Sequence, residues 1–494
     1  MPASYTRAGL PLGGLPLAID IDARGAIIAA PAVGRVSFIP GGRMAGSTHV
    51  SRRRFLGGSA AALGGLGSGL FGAPLAAQPK APPLSLPLGQ LKPTGALDEP
   101  YWWKVRSQFN VVDGLTFMNN GTYGPTPRVV VDAFARYNNA LAEDPTNNYW
   151  NEGRDQVRAR MAAFVGATAD EIALTRSTSE GMNIFIRGLD WKAGDEVVYC
   201  THEHGGGIQP LLQVEARYGV KLVKIEVPSP PESVDQIVKI YERAMTAKTR
   251  LIMVSHMTYV TGLITPIKAL SDLAHSKGAL ISVDGAHPLG MLDLDLKSTG
   301  IDHYAAAGQK WLLAGTGTGV CYVKRDVQDR IWPLMGYADL KTTNDPKATS
   351  YGARKYELGG QRSVPGFMAM SEAMDFHEAI GKKNVEARVR QLSTKLRAGL
   401  KAIPGVKMWT SEDPQFAAGL TLFSVRDIPM ENVVKGIYDF NRVWIRTMGT
   451  GNLNGVRAAT HVYNMPQEVD RLLEAVTHVA GNASRYMTAT AARG

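Results

Sequence analysis

From residue 172 to residue 284, short apolar runs rich in β-branched residues alternate with longer amphipathic runs, and no other feature of the chain constrains its fold so tightly. Ile172–Thr175, Glu196–Cys200, Val220–Val227, Arg250–Ser255 and Ala279–Asp284 read as strands. Between them lie a helix from Ser179 and helices over Ile208–Tyr218, Val234–Ala247 and Ile267–Lys277. Strands that alternate with helices in this way predict an α/β fold with a largely parallel sheet covered by helices. In such sheets ligands gather at the carboxyl ends of the strands. After about residue 375 the texture changes: amphipathic helices Val385–Ala402 and Glu468–Val479 flank short strands around Thr421–Val425 and Val443–Arg446. The expected organisation is a large domain over 125–375 and a smaller α+β domain over 376–494, preceded by an arm and loop over 79–124.

Residues 1–78 read as an address rather than a fold. Ser51-Arg52-Arg53-Arg54-Phe55-Leu56-Gly57 precedes a mildly apolar Gly/Ala stretch and a small-residue zone ending near Ala77. A basic region, a short apolar region and a cleavage zone make a signal peptide. The paired arginines followed by Phe-Leu resemble the twin-arginine export signal, which predicts a periplasmic protein handled by that export machinery. The formal charge of +10 then loses its apparent meaning. Half of it lies in residues 1–78, so no nucleic-acid footprint remains. No run of about twenty apolar residues predicts a membrane span. Cys200 and Cys321 lie at the end of one expected strand and inside another, outside any metal-ligand spacing, and read as buried thiols.

The chemistry-bearing residues follow strands. Asp284 closes the run Ala279–Asp284 and leads into Gly285-Ala-His287; Lys310 stands in Tyr304-Ala-Ala-Ala-Gly-Gln-Lys310-Trp, ahead of Gly315-Thr-Gly-Thr-Gly319 and Val320-Cys-Tyr-Val323. An acid ending one buried strand and a lysine following the next suit pyridoxal phosphate (PLP) chemistry. The lysine holds the cofactor as a Schiff base and moves protons, and the acid keeps the pyridine nitrogen protonated. In Arg176-Ser-Thr178-Ser179-Glu-Gly181, hydroxyls and a glycine at a helix start fit either an anion site or an ordinary cap. His202-Glu203-His204 follows another strand; without a third ligand it is weak as a metal site, and His204 better suits a ring stacked on a flat cofactor. Arg457, in Gly455-Val-Arg457-Ala-Ala-Thr-His461, fits a bidentate clamp on a carboxylate or a surface ion pair.

As an ordered set these segments resemble the class V aminotransferase group of fold-type-I PLP enzymes, which includes cysteine desulfurases and isopenicillin N epimerase-like proteins. The resemblance spans about residues 110–480 and implies a mainly parallel seven-stranded sheet with a smaller α+β domain. It assigns Lys310 as the catalytic lysine, Thr178 and Ser179 as the phosphate-binding pair, and His204 as the stacking ring. Asp284 becomes the pyridinium partner, His287 a neighbour of the phenolic oxygen, and Arg457 the carboxylate-binding residue. Asn119-Asn120-Gly-Thr-Tyr123-Gly124 becomes the substrate-side loop, contributing Asn120 and Tyr123. Gly360-Gln361-Arg362 resembles a segment that reaches a neighbouring subunit's cofactor, which implies a homodimer.

Four departures stand out. Gln309 occupies the place where the family usually has a phosphate-contacting histidine, and its amide still donates. Gln361 replaces a common threonine, and Tyr259 stands where relatives carry Asn or Ser. Arg446–Gly455 contains no cysteine, where desulfurases carry the thiol that takes up sulfur. The expected function is therefore an exported PLP-dependent, aminotransferase-like enzyme acting at the Cα of an amino acid or amino-terminated peptide. Epimerisation and elimination are the alternatives, and a non-catalytic binding protein of the same fold is a remoter one.

Overall fold

The computed structural model describes residues 93–146, 152–335, 349–357, 360–450 and 453–487; the export-type segment 51–57 lies outside them. The first strand, β1 (Thr116–Phe117), belongs to the amino-terminal arm. Seven strands then build the main sheet: β2 (Ile172–Thr175), β3 (Glu196–Cys200), β4 (Lys221–Ile225), β5 (Thr249–Ser255), β6 (Leu280–Asp284), β7 (His303–Ala307) and β8 (Gly319–Val323). Their order is β2-β8-β7-β6-β5-β3-β4. Only β8 runs against its neighbours, pairing antiparallel with both β2 and β7. The expected mainly parallel, seven-stranded α/β architecture is present.

Apart from the edge strand β4, these strands are buried almost throughout, which explains why they appear as apolar runs rather than as alternating ones. Val198, Ile252, Ile281 and Tyr304 join the core on one face, and Val197, Leu251, Leu280 and Ala305 join the core on the other. Strand β7 (His-Tyr-Ala-Ala-Ala) ends in three alanines, and the helix Thr178–Gly188 lies directly on it. A Cβ at Gly181 would stand 2.6 Å from the Cβ of Ala305.

The second unit of structure is an antiparallel sheet in the order β12-β13-β10-β9. It comprises β9 (Val406–Met408), β10 (Leu420–Val425), β12 (Arg446–Thr450) and β13 (Leu453–Ala459), with the short β11 (Val443–Trp444) preceding β12. The helices Lys382–Lys401, Met430–Asn441 and Pro466–Gly481 supply its core with Leu392, Leu396, Ile437, Leu472 and Val476. The helix Val364–Ile380 runs through residue 375, so the expected change of texture falls inside a helix; the break comes at Gly381, with φ +91°.

The arm reaches the site through the smaller sheet. β1 pairs in parallel with β11, and Asn119 bridges to Ala459 at the end of β13. The loop Asn119–Gly124 therefore lies between β13 and the segment that carries Lys310.

Candidate functional site

Asp284 ends β6 and His256 follows β5; the backbone N–H of His256 donates to the Asp284 carbonyl at 2.9 Å, extending the sheet by one bond. The acid turns sharply into Gly285 because Tyr304 of β7 leaves no room: a Cβ at 285 would stand 2.0 Å from the Tyr304 ring. Asp284 Oδ1 accepts from the N–H of Ala286 at 3.0 Å. Burial pushes its carboxyl above the ordinary range, and the positive charge of Lys310 opposes that shift.

Lys310 sits on a tight loop after β7, closed by Ala314 N–H donating to the Gly308 carbonyl at 3.0 Å. Within this loop Leu313 is fully buried in the left-handed region at φ 61°, a conformation unfavourable for a branched side chain and held here by packing. Desolvation pushes the Lys310 amine down to about 8; Asp284 works against the shift, and Arg457 and Arg446 add to it. The substrate-side loop presses on the same backbone. Gly124 N–H donates to the Gln309 carbonyl at 2.9 Å, and a Cβ at Gly124 would lie 2.2 Å from the Lys310 carbonyl oxygen. Asn120 Nδ2 reaches that carbonyl at 3.4 Å, whereas Tyr123 is exposed.

Two helices open on this space. Ser177 caps Thr178–Gly188 by accepting from Glu180 N–H, and His204 caps Gly205–Tyr218 through Nδ1, which accepts from Gly206 N–H at 3.0 Å. Their starts are pressed together. A Cβ at Gly206 would fall 2.6 Å from Ser179 Oγ, so glycine is needed to keep the cradle open. Paired helix N-termini with free N–H groups suit an anion.

The two histidines, His287 and His204, both accept a hydrogen bond through Nδ1. Trp311 Nε1–H donates to His287 Nδ1 at 3.0 Å, so neutral His287 carries its proton on Nε2. Burial, reinforced by the charges of Lys310, Arg457 and His204, holds it far below its usual range, which keeps it neutral. His204 is also lowered, first by burial and then by Lys310, and meets Tyr259 edge to face at 5.0 Å.

Arg457 rises from β13 and is fully buried. Its guanidinium donates to the Tyr259 carbonyl, to Thr122 Oγ1 at 3.3 Å and to Asn119 Oδ1 at 3.5 Å. These acceptors are neutral. Burial pushes Arg457 down to about 9, with Arg446 adding to the shift.

Several buried polar atoms around this space have no partner: Thr178 Oγ1, Asn120 Oδ1, His287 Nε2, Gln309 Oε1 and Arg457 Nε. Orphaned buried groups are costly, and clustered round a reactive lysine they match a site shaped for a flat, anionic, covalently held group and its substrate. Arg362 donates to the Leu174 carbonyl at 3.0 Å and to Glu180 Oε1 at 3.1 Å of its own chain, beside an exposed Gln361.

The structure also brings in contacts that the sequence did not show. Arg446 of β12 joins the Thr122 hydroxyl, and Trp311 fixes His287. Glu203 is buried between Ser255 Oγ–H at 2.6 Å and the Cys200 thiol at 3.0 Å, and burial pushes it up to about 7. Those bonds draw Glu203 away from any pairing with His202 and His204. Among the described residues, no three His, Cys, Asp or Glu side chains are grouped to hold a metal ion, and no helix is long and apolar enough to cross a membrane.

Comparison with known proteins agrees with this geometry. The aminotransferase class-V family profile matches residues 117–472. A probable cysteine desulfurase of Methanothermobacter thermautotrophicus is 28% identical over 76% of this chain and 98% of its own. An isopenicillin N epimerase of Streptomyces clavuligerus is 26% identical over 77% of this chain and 98% of its own. Among solved structures, the cystine C-S lyase C-DES in complex with cysteine persulfide superimposes with a TM-score of 0.66 at 25% identity, covering 75% of this chain and 99% of that one.

Proposed function

The chain belongs to the class-V aminotransferase family, whose cofactor is pyridoxal 5'-phosphate, and we propose that it acts at the Cα of an amino acid or of a peptide with a free amino terminus. The observation that carries this reading is the set of orphaned polar atoms gathered round the depressed amine of Lys310. Thr178, Ser179, Gln309 and the two helix N-termini would hold the phosphate, Asp284 the ring nitrogen, His287 Nε2–H the ring oxygen, His204 the ring face and Lys310 the covalent link. When bound, the cofactor supplies an electron sink next to the substrate Cα.

The chain's own residues do the rest. Arg457 grips the substrate carboxylate, which supplies the negative charge its neutral partners lack. Asn120 and the loop pinned on Lys310 fix the other side and limit the orientations available to Cα. Lys310, with its amine near 8, is poised to accept the α-proton and release it again at neutral pH. In transamination, the reading we favour, that proton does not return to Cα. Epimerisation, in which a proton reaches the opposite face of Cα, is the second reading and is supported by the epimerase relatives. Elimination of a β-substituent is a further alternative.

Persulfide transfer fits poorly. The pairing of Thr450 with Leu453 leaves two residues between β12 and β13, Arg446–Gly455 has no cysteine, and both thiols are buried. The proposal extends to export into the periplasm, from the twin-arginine segment, and to a homodimer. The exposed Val131 and Phe134 on the helix Arg128–Glu143 support an apolar contact with a second copy.

The test is an absorption titration of the holoenzyme with L- and D-amino acids. Conversion of the visible band to a pyridoxamine-type spectrum identifies a transaminase and its donor. A spectral response without conversion, with inverted product, identifies an epimerase. No response to any amine overturns the proposal.

A further inference from the structure

Arg446 and Arg457 are register partners on β12 and β13, so both side chains rise from one face of the sheet. Arg446 Nη1 and Arg457 Nη2 donate to the same oxygen, Thr122 Oγ1, at 3.1 and 3.3 Å. That hydroxyl is neutral, and its own proton goes to Asn119 Oδ1 at 3.0 Å. Among the described residues no carboxylate pairs with either guanidinium; the contacts recorded for them are carbonyl, amide and hydroxyl oxygens. Like charges directly opposite on paired strands are unfavourable, so the pair is arranged for negative charge brought from outside.

One carboxylate spanning both guanidiniums would have to displace Thr122, and the loop that carries it is pinned at three points. Its hydroxyl is bonded to Asn119, a Cβ at Gly121 would meet Arg457 Nη2 at 2.8 Å, and Gly124 lies on the Lys310 carbonyl. The two arginines also differ in depth: Arg457 is buried, whereas Arg446 is exposed at the open side. We propose that the substrate is an amino acid with a second carboxylate on its side chain. Arg457 holds the α-carboxylate, Arg446 holds the distal one, and Thr122 is the spacer between them. This rests on the assignment of the α-carboxylate to Arg457.

The experiment compares holoenzyme affinity for L-glutamate and L-2-aminoadipate with that for L-norvaline and L-norleucine, by the visible band at fixed ionic strength. Wild type is expected to favour the diacids by roughly tenfold or more. Arg446→Gln should bring that ratio close to one, and Arg446→Lys should restore part of it. Equal affinities in wild type, or an Arg446→Gln variant that weakens both classes alike, would overturn the inference. Thermal shifts with glutarate and valerate, which lack the amine, separate it from the Cα reading. An Arg446-dependent preference for glutarate without any spectral response to amino acids would uphold the two-arginine site and remove the Cα chemistry.

Discussion

Burial sets the protonation of the groups that do chemistry here. Desolvation moves Lys310 down to about 8, against the pull of Asp284. The nucleophile is the free amine, which is the form present above the pKa. Covalent uptake of cofactor by the apoenzyme should therefore accelerate as pH rises and level off with a midpoint near 8. An ordinary lysine would place it above about 10, and a stopped-flow profile with that midpoint would contradict the burial argument. At this scale the sequence was legible where a residue ends an apolar run, as Asp284 does, or follows one closely, as Lys310 does. It was silent on contacts made across the fold. The Trp311–His287 bond links residues 24 apart, and the Thr122–Arg446 bond links residues 324 apart. Glu203 is a related case: beside two histidines it made only a weak metal site in the sequence, and the fold turns its oxygens to Ser255 and Cys200.

At the scale of elements, the buried strands were legible because both faces are covered; β2 and β3 have the expected bounds. The edge strand β4 was expected over Val220–Val227 and spans only Lys221–Ile225, since one neighbour supports fewer ladder bonds. The reversed direction of β8 was not legible, because side-chain pattern carries no strand polarity. The helix Val364–Ile380 was missed because residues on nearly every side of it are buried, which erases the amphipathic period. The helix Gly205–Tyr218 begins three residues before the expected Ile208, since glycines conceal a helix start. Its glycines serve the cradle rather than the helix. The turn after β6 is equally exacting. Gly285→Ala would drive a Cβ into the Tyr304 ring, and this overpacking should lower stability by about 1–3 kcal/mol while displacing Asp284. Urea denaturation of the variant is the check; unchanged stability would mean that the close approach is easily relieved.

At the scale of the whole molecule, the arm, the large sheet and the smaller sheet meet at one place. The arm is stitched to the smaller sheet by β1 and β11, and Glu99 on its helix pairs with the buried Arg388 of Lys382–Lys401. The site thus depends on residues from position 119 to position 457, which explains why single motifs in the sequence were weak and their ordered set was informative. Export is a property of this scale too. Replacing Arg52 and Arg53 together by lysine should strand the protein in the cytoplasm, as read by cell fractionation, and normal export would refute the twin-arginine reading. The central claim is tested most directly by borohydride reduction of the holoenzyme followed by peptide mass mapping, with and without an amino acid substrate. The account predicts a pyridoxyl adduct on Lys310 alone, which disappears from the protein and moves to the amino acid when substrate is present. An adduct on a different lysine, or one that stays on Lys310 whatever amino acid is offered, would contradict it.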